Sequence, residues 1–180
     1  KRKMETAPPN SLSLLNTLYE TNGRDKEIWK DLLSSFNNTQ SYIGIINFFN
    51  QKMENEPSNP LTLDILDFLI DYGPLELLRE ISNVEFMTKV FNLIKQANES
   101  NLEIQNKGIY LTKKWNEKAN EYQNENLAGF VHNYAELNNL NLPLPPPEFK
   151  LQTYDQFISP AELNPMQNQN NNNNFNNQQN

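Results

Sequence analysis

The 180-residue sequence contains no cysteine, which removes structural disulfides, thiolate metal sites and cysteine nucleophiles together. That absence fits a reducing compartment. Histidine occurs once, at His132, so an imidazole metal site has no second ligand and a catalytic triad would have to rest on that one ring. Glycine is scarce, at five residues, and there is neither a Gly-x-Ser-x-Gly elbow nor a phosphate-cradling glycine loop. No apolar run approaches the roughly 20 residues that a membrane helix requires, so no transmembrane segment is expected. The basic start Lys1-Arg-Lys3 runs into Met4-Glu-Thr-Ala-Pro-Pro9 instead of an apolar stretch, which is not the pattern of a signal peptide. Positive charge is also short. The formal net charge is −7, the pI is near 4.8, and all 15 Lys and Arg lie at or before Lys150. A net acidic chain opposes non-specific nucleic-acid binding, which needs a positive face. No cofactor, metal or enzyme active site is expected.

What remains is helical patterning. Runs of β-branched residues with period-two alternation are missing from Asn10 to Leu142, and apolar residues recur at helical spacing. The pattern predicts eight helices at about 11–21, 26–37, 40–54, 60–72, 74–81, 83–97, 101–122 and 126–140. Ser82-Asn-Val-Glu85 and Ser100-Asn-Leu-Glu103 read as capping boxes, and Asn59-Pro60 as an N-cap followed by a first-turn proline. One-sided stripes mark the later helices: Phe86, Val90, Phe91 and Ile94; Ile104, Gly108, Leu111 and Trp115; Leu127, Phe130, Val131, Tyr134 and Leu137.

The second helix stands out. Ile28, Leu32 and Phe36 form one buried stripe, while Trp29 and Leu33 form a second row rotated by about 100°. A helix with two apolar rows has surface left over, for a wide core contact or for a binding patch.

After Leu142 the chemistry changes. Pro143-Leu-Pro-Pro-Pro147 favours extended geometry and suits a stiff exit linker. Periodicity is lost beyond Lys150, and from Gln167 the chain is nearly all Asn and Gln, a composition with too little apolar surface to fold. The expected organisation is a disordered segment 1–9, a helical domain 10–146 and a disordered Pro- then Asn/Gln-rich tail 147–180. Tyr154-Asp-Gln-Phe157 has the spacing of a tyrosine sorting signal, a four-residue pattern of low specificity.

In order and spacing, five pieces of this chain resemble a VHS domain of the ENTH/VHS superfamily, found in endosomal sorting proteins. Glu27-Ile-Trp29-Lys-Asp-Leu-Leu33 resembles the family's acidic-x-Trp-x-x-Ile/Leu-Leu opening of the second helix. Leu61-Thr-Leu-Asp-Ile-Leu66-Asp67-Phe-Leu69-Ile70 is similar to its Leu-x-Leu-x-x-Leu-Asp-x-Leu-Val pattern. Glu80-Ile-Ser-Asn-Val-Glu-Phe86-Met resembles the entry to the sixth helix, and Ile104 to Trp115 tracks the seventh without a gap. Tyr134-Ala-Glu-Leu137-Asn-Asn-Leu-Asn141-Leu142-Pro-Leu144-Pro145 resembles the end, with Asn141 in place of a glycine as the expected left-handed C-cap. The chain departs from the family after the fourth helix, where Asp71-Tyr72-Gly73 is one residue shorter and Pro74-Leu-Glu-Leu77 lacks the usual Phe-His.

The resemblance implies an all-α fold, a right-handed superhelix of about eight helices. It also implies a non-catalytic adaptor in endosomal or vesicular protein trafficking, cytoplasmic and peripheral on endosomal membranes. In several members the tryptophan and the leucine four residues later contact ubiquitin. Here those positions are Trp29 and Leu33, with ubiquitin or ubiquitinated cargo as partner. Lys107, Lys114 and Lys118 share a face of the seventh helix by spacing of seven and four, a candidate phosphoinositide site and otherwise a solvated face. Cargo-tail binding between the sixth and eighth helices is a further alternative; Lys89 and Lys95 lie on the former, but no basic residue falls between Asn126 and Asn141. A related eight-helix module binds the phosphorylated tail of RNA polymerase, which would need a basic groove. Asp64, Asp67 and Asp71 are expected on a solvated acidic face of the fourth helix.

Overall fold

The computed structural model describes residues 10–39, 41–97, 101–123, 125–142 and 151–163. Those residues are all-helical, without a strand among them. The chain runs through α1 (Ser11–Glu20), α2 (Lys26–Ser35), α3 (Ile43–Asn55), α4 (Leu61–Tyr72), α5 (Leu75–Ile81), α6 (Val84–Gln96), α7 (Leu102–Glu121) and α8 (Ala128–Asn139). A 3₁₀ turn, Phe36–Asn38, extends α2. None of these helices is long and apolar enough to cross a membrane.

The helix starts follow from short polar side chains that satisfy free backbone N–H groups. Asn10 accepts from Ser13 N at 2.9 Å, and Asp25 from Glu27 N at 3.1 Å. Asn59 accepts from Leu61 N at 3.1 Å while Pro60 takes helical backbone angles, so this pair works as the sequence indicated, one residue ahead of α4. The expected Ser82 box does not form. Asn83 caps α6 instead, accepting from Glu85 and Phe86, and the Ser82 hydroxyl donates back to Arg79 O at the end of α5. Ser100 lies outside the described residues. Asn141 is not left-handed: α8 ends at Leu140 in extended backbone, and the left-handed pair is Asn22 (φ 50) and Gly23 (φ 72), between α1 and α2. There Gly23 N returns to Leu18 O at 2.8 Å, closing α1 with the residue type that tolerates positive φ.

The apolar stripes of α6 and α7 are buried as the spacing predicts. On α8 the stripe shifts, with Val131 exposed and Asn133 buried. Residues 61–70 of α4 are all buried, so this helix forms the spine of the main core and other elements cover it on several sides. A smaller cluster of Phe91, Ile94, Ile109 and Leu137 joins α6, α7 and α8.

The C-terminal part departs most from expectation. Residues 151–163, placed by the sequence in a disordered tail, pack on the core as a strap. It consists of a 3₁₀ turn, Tyr154–Gln156, and a helical turn at 160–163. Tyr154, Ile158 and Leu163 are buried. Four apolar anchors at irregular spacing leave no periodic signal, although they bury as well as any helix stripe. Residues 1–9, 143–150 and 164–180 lie outside the described residues, and with them the proline run and the Asn/Gln tract.

Candidate functional site

The strap, α2 and α4 meet at Trp29. Both apolar rows of α2 turn inward: Trp29 and Leu32 are 0% exposed, Phe36 is buried, and Ile28 and Leu33 are half-buried. The indole Nε1 donates to Gly23 O at 2.9 Å, which satisfies its only polar group inside the core. One edge of the ring meets Phe68 of α4, centroids 4.9 Å apart at 75°. On the other side the ring of Phe157 stacks on it at 5.7 Å and 16°. The surplus apolar surface of α2 is therefore a wide core contact, completed from a remote part of the chain. Trp29 as an exposed ligand anchor is corrected accordingly. Leu33 keeps partial exposure one turn further on.

Tyr154 is the second anchor of the strap. Its ring meets Phe68 at 5.5 Å and Tyr72 at 5.8 Å, both edge-to-face, and its hydroxyl donates to Asp71 Oδ2 at 2.7 Å. Burial, reinforced by the Asp71 carboxylate, pushes the Tyr154 hydroxyl well above the ordinary phenol range, so it stays a donor. Strap backbone N–H groups bond only within the strap, for example Phe157 N to Tyr154 O at 2.8 Å. Ser159 N and Oγ each donate to Glu162 Oε2 at 2.9 Å, capping the final turn. Beyond Tyr154, polar ties to the helices are a long Gln156–Asp64 contact and an exposed Lys26–Glu162 ion pair, both at 3.5 Å.

Asp64, Asp67 and Asp71 share one face of α4, as their spacing indicated, but that face meets α7 and not solvent. Lys107, 2% exposed, reaches Asp64 Oδ1 at 2.7 Å and Glu103 at 3.5 Å. Lys114 Nζ lies 2.8 Å from Asp67 Oδ1 and 2.7 Å from Asp71 Oδ2, and Trp115 Nε1 donates to Asp67 Oδ1 at 3.0 Å. Lys118 reaches Asp71 Oδ1 at 3.5 Å.

The three candidate phosphoinositide lysines are therefore brought together as predicted, but they face α4 carboxylates. Their charge is spent inside the protein, and releasing it to a headgroup would strand buried aspartates. Burial pushes Asp64 up to about 6 against the pull of Lys107, and it raises Asp67 as well. Burial works to lower Lys114, and the Asp67 and Asp71 carboxylates outweigh it and hold the ammonium above its ordinary value. Spacing alone had put each set of charges on one helix face. It carried no information that the two faces meet.

The α6–α8 contact is closed differently. Gly129 N donates to Ser82 O at 2.7 Å, and a Cβ at Gly129 would collide with that carbonyl and lie 2.8 Å from Met87 Cγ. Asn133 Nδ2 donates to Met87 O at 2.7 Å. Backbone sits on backbone here, and Lys89 and Lys95 point away as exposed residues, so the geometry leaves no groove for a cargo tail. His132 is exposed on α8. No family model matches the chain, and neither a curated protein nor a solved structure matches it significantly.

Proposed function

We propose that this chain is a non-catalytic adaptor domain of endosomal or vesicular protein trafficking, a VHS-type right-handed superhelix that recognises ubiquitin on cargo through the α2 face. It would act in the cytoplasm, peripherally on endosomal membranes. The observation that carries a binding role is the α2–α4 face itself, whose apolar surface is large enough to seat an aromatic chain segment. The order of the five family-like pieces along α2, α4, α6, α7 and α8 supports the choice of family. Leu33 is the contact residue left at the surface of α2, flanked by exposed Asp31 and Ser34, and Trp29 shapes that face from beneath. The pairing of Lys107, Lys114 and Lys118 sets the phosphoinositide alternative behind it, and the same pairing removes the basic groove that a phosphorylated polymerase tail would need.

The test is a titration of isotope-labelled ubiquitin with the full chain, read by NMR, alongside Leu33→Ala. Shifts on ubiquitin's apolar face that weaken about thirtyfold in the variant, the equivalent of about 2 kcal/mol, support the reading. A ubiquitin spectrum that ignores the wild-type chain ends it.

A further inference from the structure

The strap is built as a separable unit. Its main chain makes no hydrogen bond to the helices among the described residues, and its turns are capped from within by Ser159 and Glu162. Two aromatic side chains carry most of its attachment, Phe157 on Trp29 and Tyr154 on Phe68 and Asp71. The seat, by contrast, is held by the helices alone. Asp71 is fixed by Lys114 and Lys118, Phe68 by the α4 core, and Trp29 by its bond to Gly23 O. Removing the strap would break no helix hydrogen bond, and would uncover an indole face and a carboxylate poised to accept a hydroxyl.

We propose that the α2–α4 face is a peptide-binding site and that residues 151–163 are its resident ligand in cis. A partner displaces the strap by presenting the same chemistry: a protein segment with an unmodified tyrosine and a second aromatic three residues later. The strap carries Asp155 and Glu162 and no basic residue, so the competing segment need not be basic. Recognition of the tyrosine runs through its neutral hydroxyl, because a phosphate there would face the Asp71 carboxylate. The proposal rests on the reading of this face as the binding face and specifies how access to it is controlled.

The experiment uses the full chain, wild type and Tyr154→Ala/Phe157→Ala, with a fluorescent peptide of residues 151–163 as probe. Anisotropy should show the peptide binding the double variant at least tenfold more tightly than the wild type, whose own strap competes. The same peptide phosphorylated on tyrosine should bind the variant at least tenfold more weakly than the unmodified one. Should the double variant fail to fold by circular dichroism, Tyr154→Phe replaces it, keeping the ring and losing only the hydroxyl, with a smaller gain over wild type expected. A folded variant that ignores the peptide, or binds both peptides equally, overturns the proposal. Ubiquitin titrated in parallel separates the two readings: peptide binding without ubiquitin binding supports the resident ligand and removes only ubiquitin as partner. Ubiquitin binding with no peptide binding does the reverse.

Discussion

The two flanks of α4 are sealed by opposite means. Toward α7 the seam is ionic: Asp64, Asp67 and Asp71 are matched by Lys107, Lys114 and Lys118, with two of the carboxylates and one ammonium buried. Toward α2 the seam is aromatic, with Phe68 between Trp29 and Tyr154, and its outer layer is a segment arriving from some eighty residues further along the chain. Asp71 belongs to both, bound to Lys114 on one side and to the Tyr154 hydroxyl on the other. A buried ion pair cannot be opened cheaply, since separating it leaves a charge without solvent or partner. Stacked rings over a hydroxyl bond open at the cost of apolar area alone. The first flank suits a permanent joint and the second suits a contact that comes and goes.

That contrast is open to attack at several points. Lys107→Ala should cost about 3–5 kcal/mol of stability by leaving Asp64 charged and unpaired, read as a shifted urea midpoint for the whole domain. Trp29→Ala should cost a similar amount, about 3–5 kcal/mol, as expected for truncating a core indole. Trp29 would instead be a surface residue if the variant melted like wild type.

The acid–base behaviour of the ionic flank comes next in size. The Asp64 carboxyl is raised to about 6 in the folded protein, above its unfolded value near 4. A raised folded value stabilises most below the unfolded one, and that contribution is lost as pH rises through 6. It amounts to something on the order of 2–3 kcal/mol. Urea titrations of wild type and Asp64→Asn at pH 4, 5, 6 and 7 should therefore differ in slope across that interval, with the wild type losing stability relative to the variant. Parallel curves would contradict the burial of this carboxyl.

The smallest effect belongs to the aromatic flank. Tyr154→Phe deletes one hydrogen bond while Lys114 still satisfies Asp71, so global stability should fall by only about 1 kcal/mol. Amide exchange should rise in 151–163 and stay unchanged in α7. A uniform rise through α4 and α7 would mean that the two flanks open together.

How much of this was legible in the sequence follows from what periodicity encodes. The helices and the inward faces of α6 and α7 could be read from spacing, because amphipathic helices declare their buried side. The same rule placed Lys107, Lys114 and Lys118 together and Asp64, Asp67 and Asp71 together. Yet it assigned both sets to solvent, since a single-helix pattern does not report a complementary charge row on another helix. Trp29 was seen as surplus, but its cover was not, because Tyr154, Phe157, Ile158 and Leu163 repeat at no fixed period. The one available signal was Tyr154-Asp-Gln-Phe157, two aromatics in an otherwise polar stretch.

The most direct measurement is a nuclear Overhauser spectrum of the full chain with labelled aromatic rings. Cross-peaks between the Phe157 ring and the Trp29 indole are predicted, from centroids 5.7 Å apart, together with contacts from Tyr154 to Phe68. Random-coil shifts for 151–163 and an indole without those cross-peaks would contradict the strap and return Trp29 to the surface.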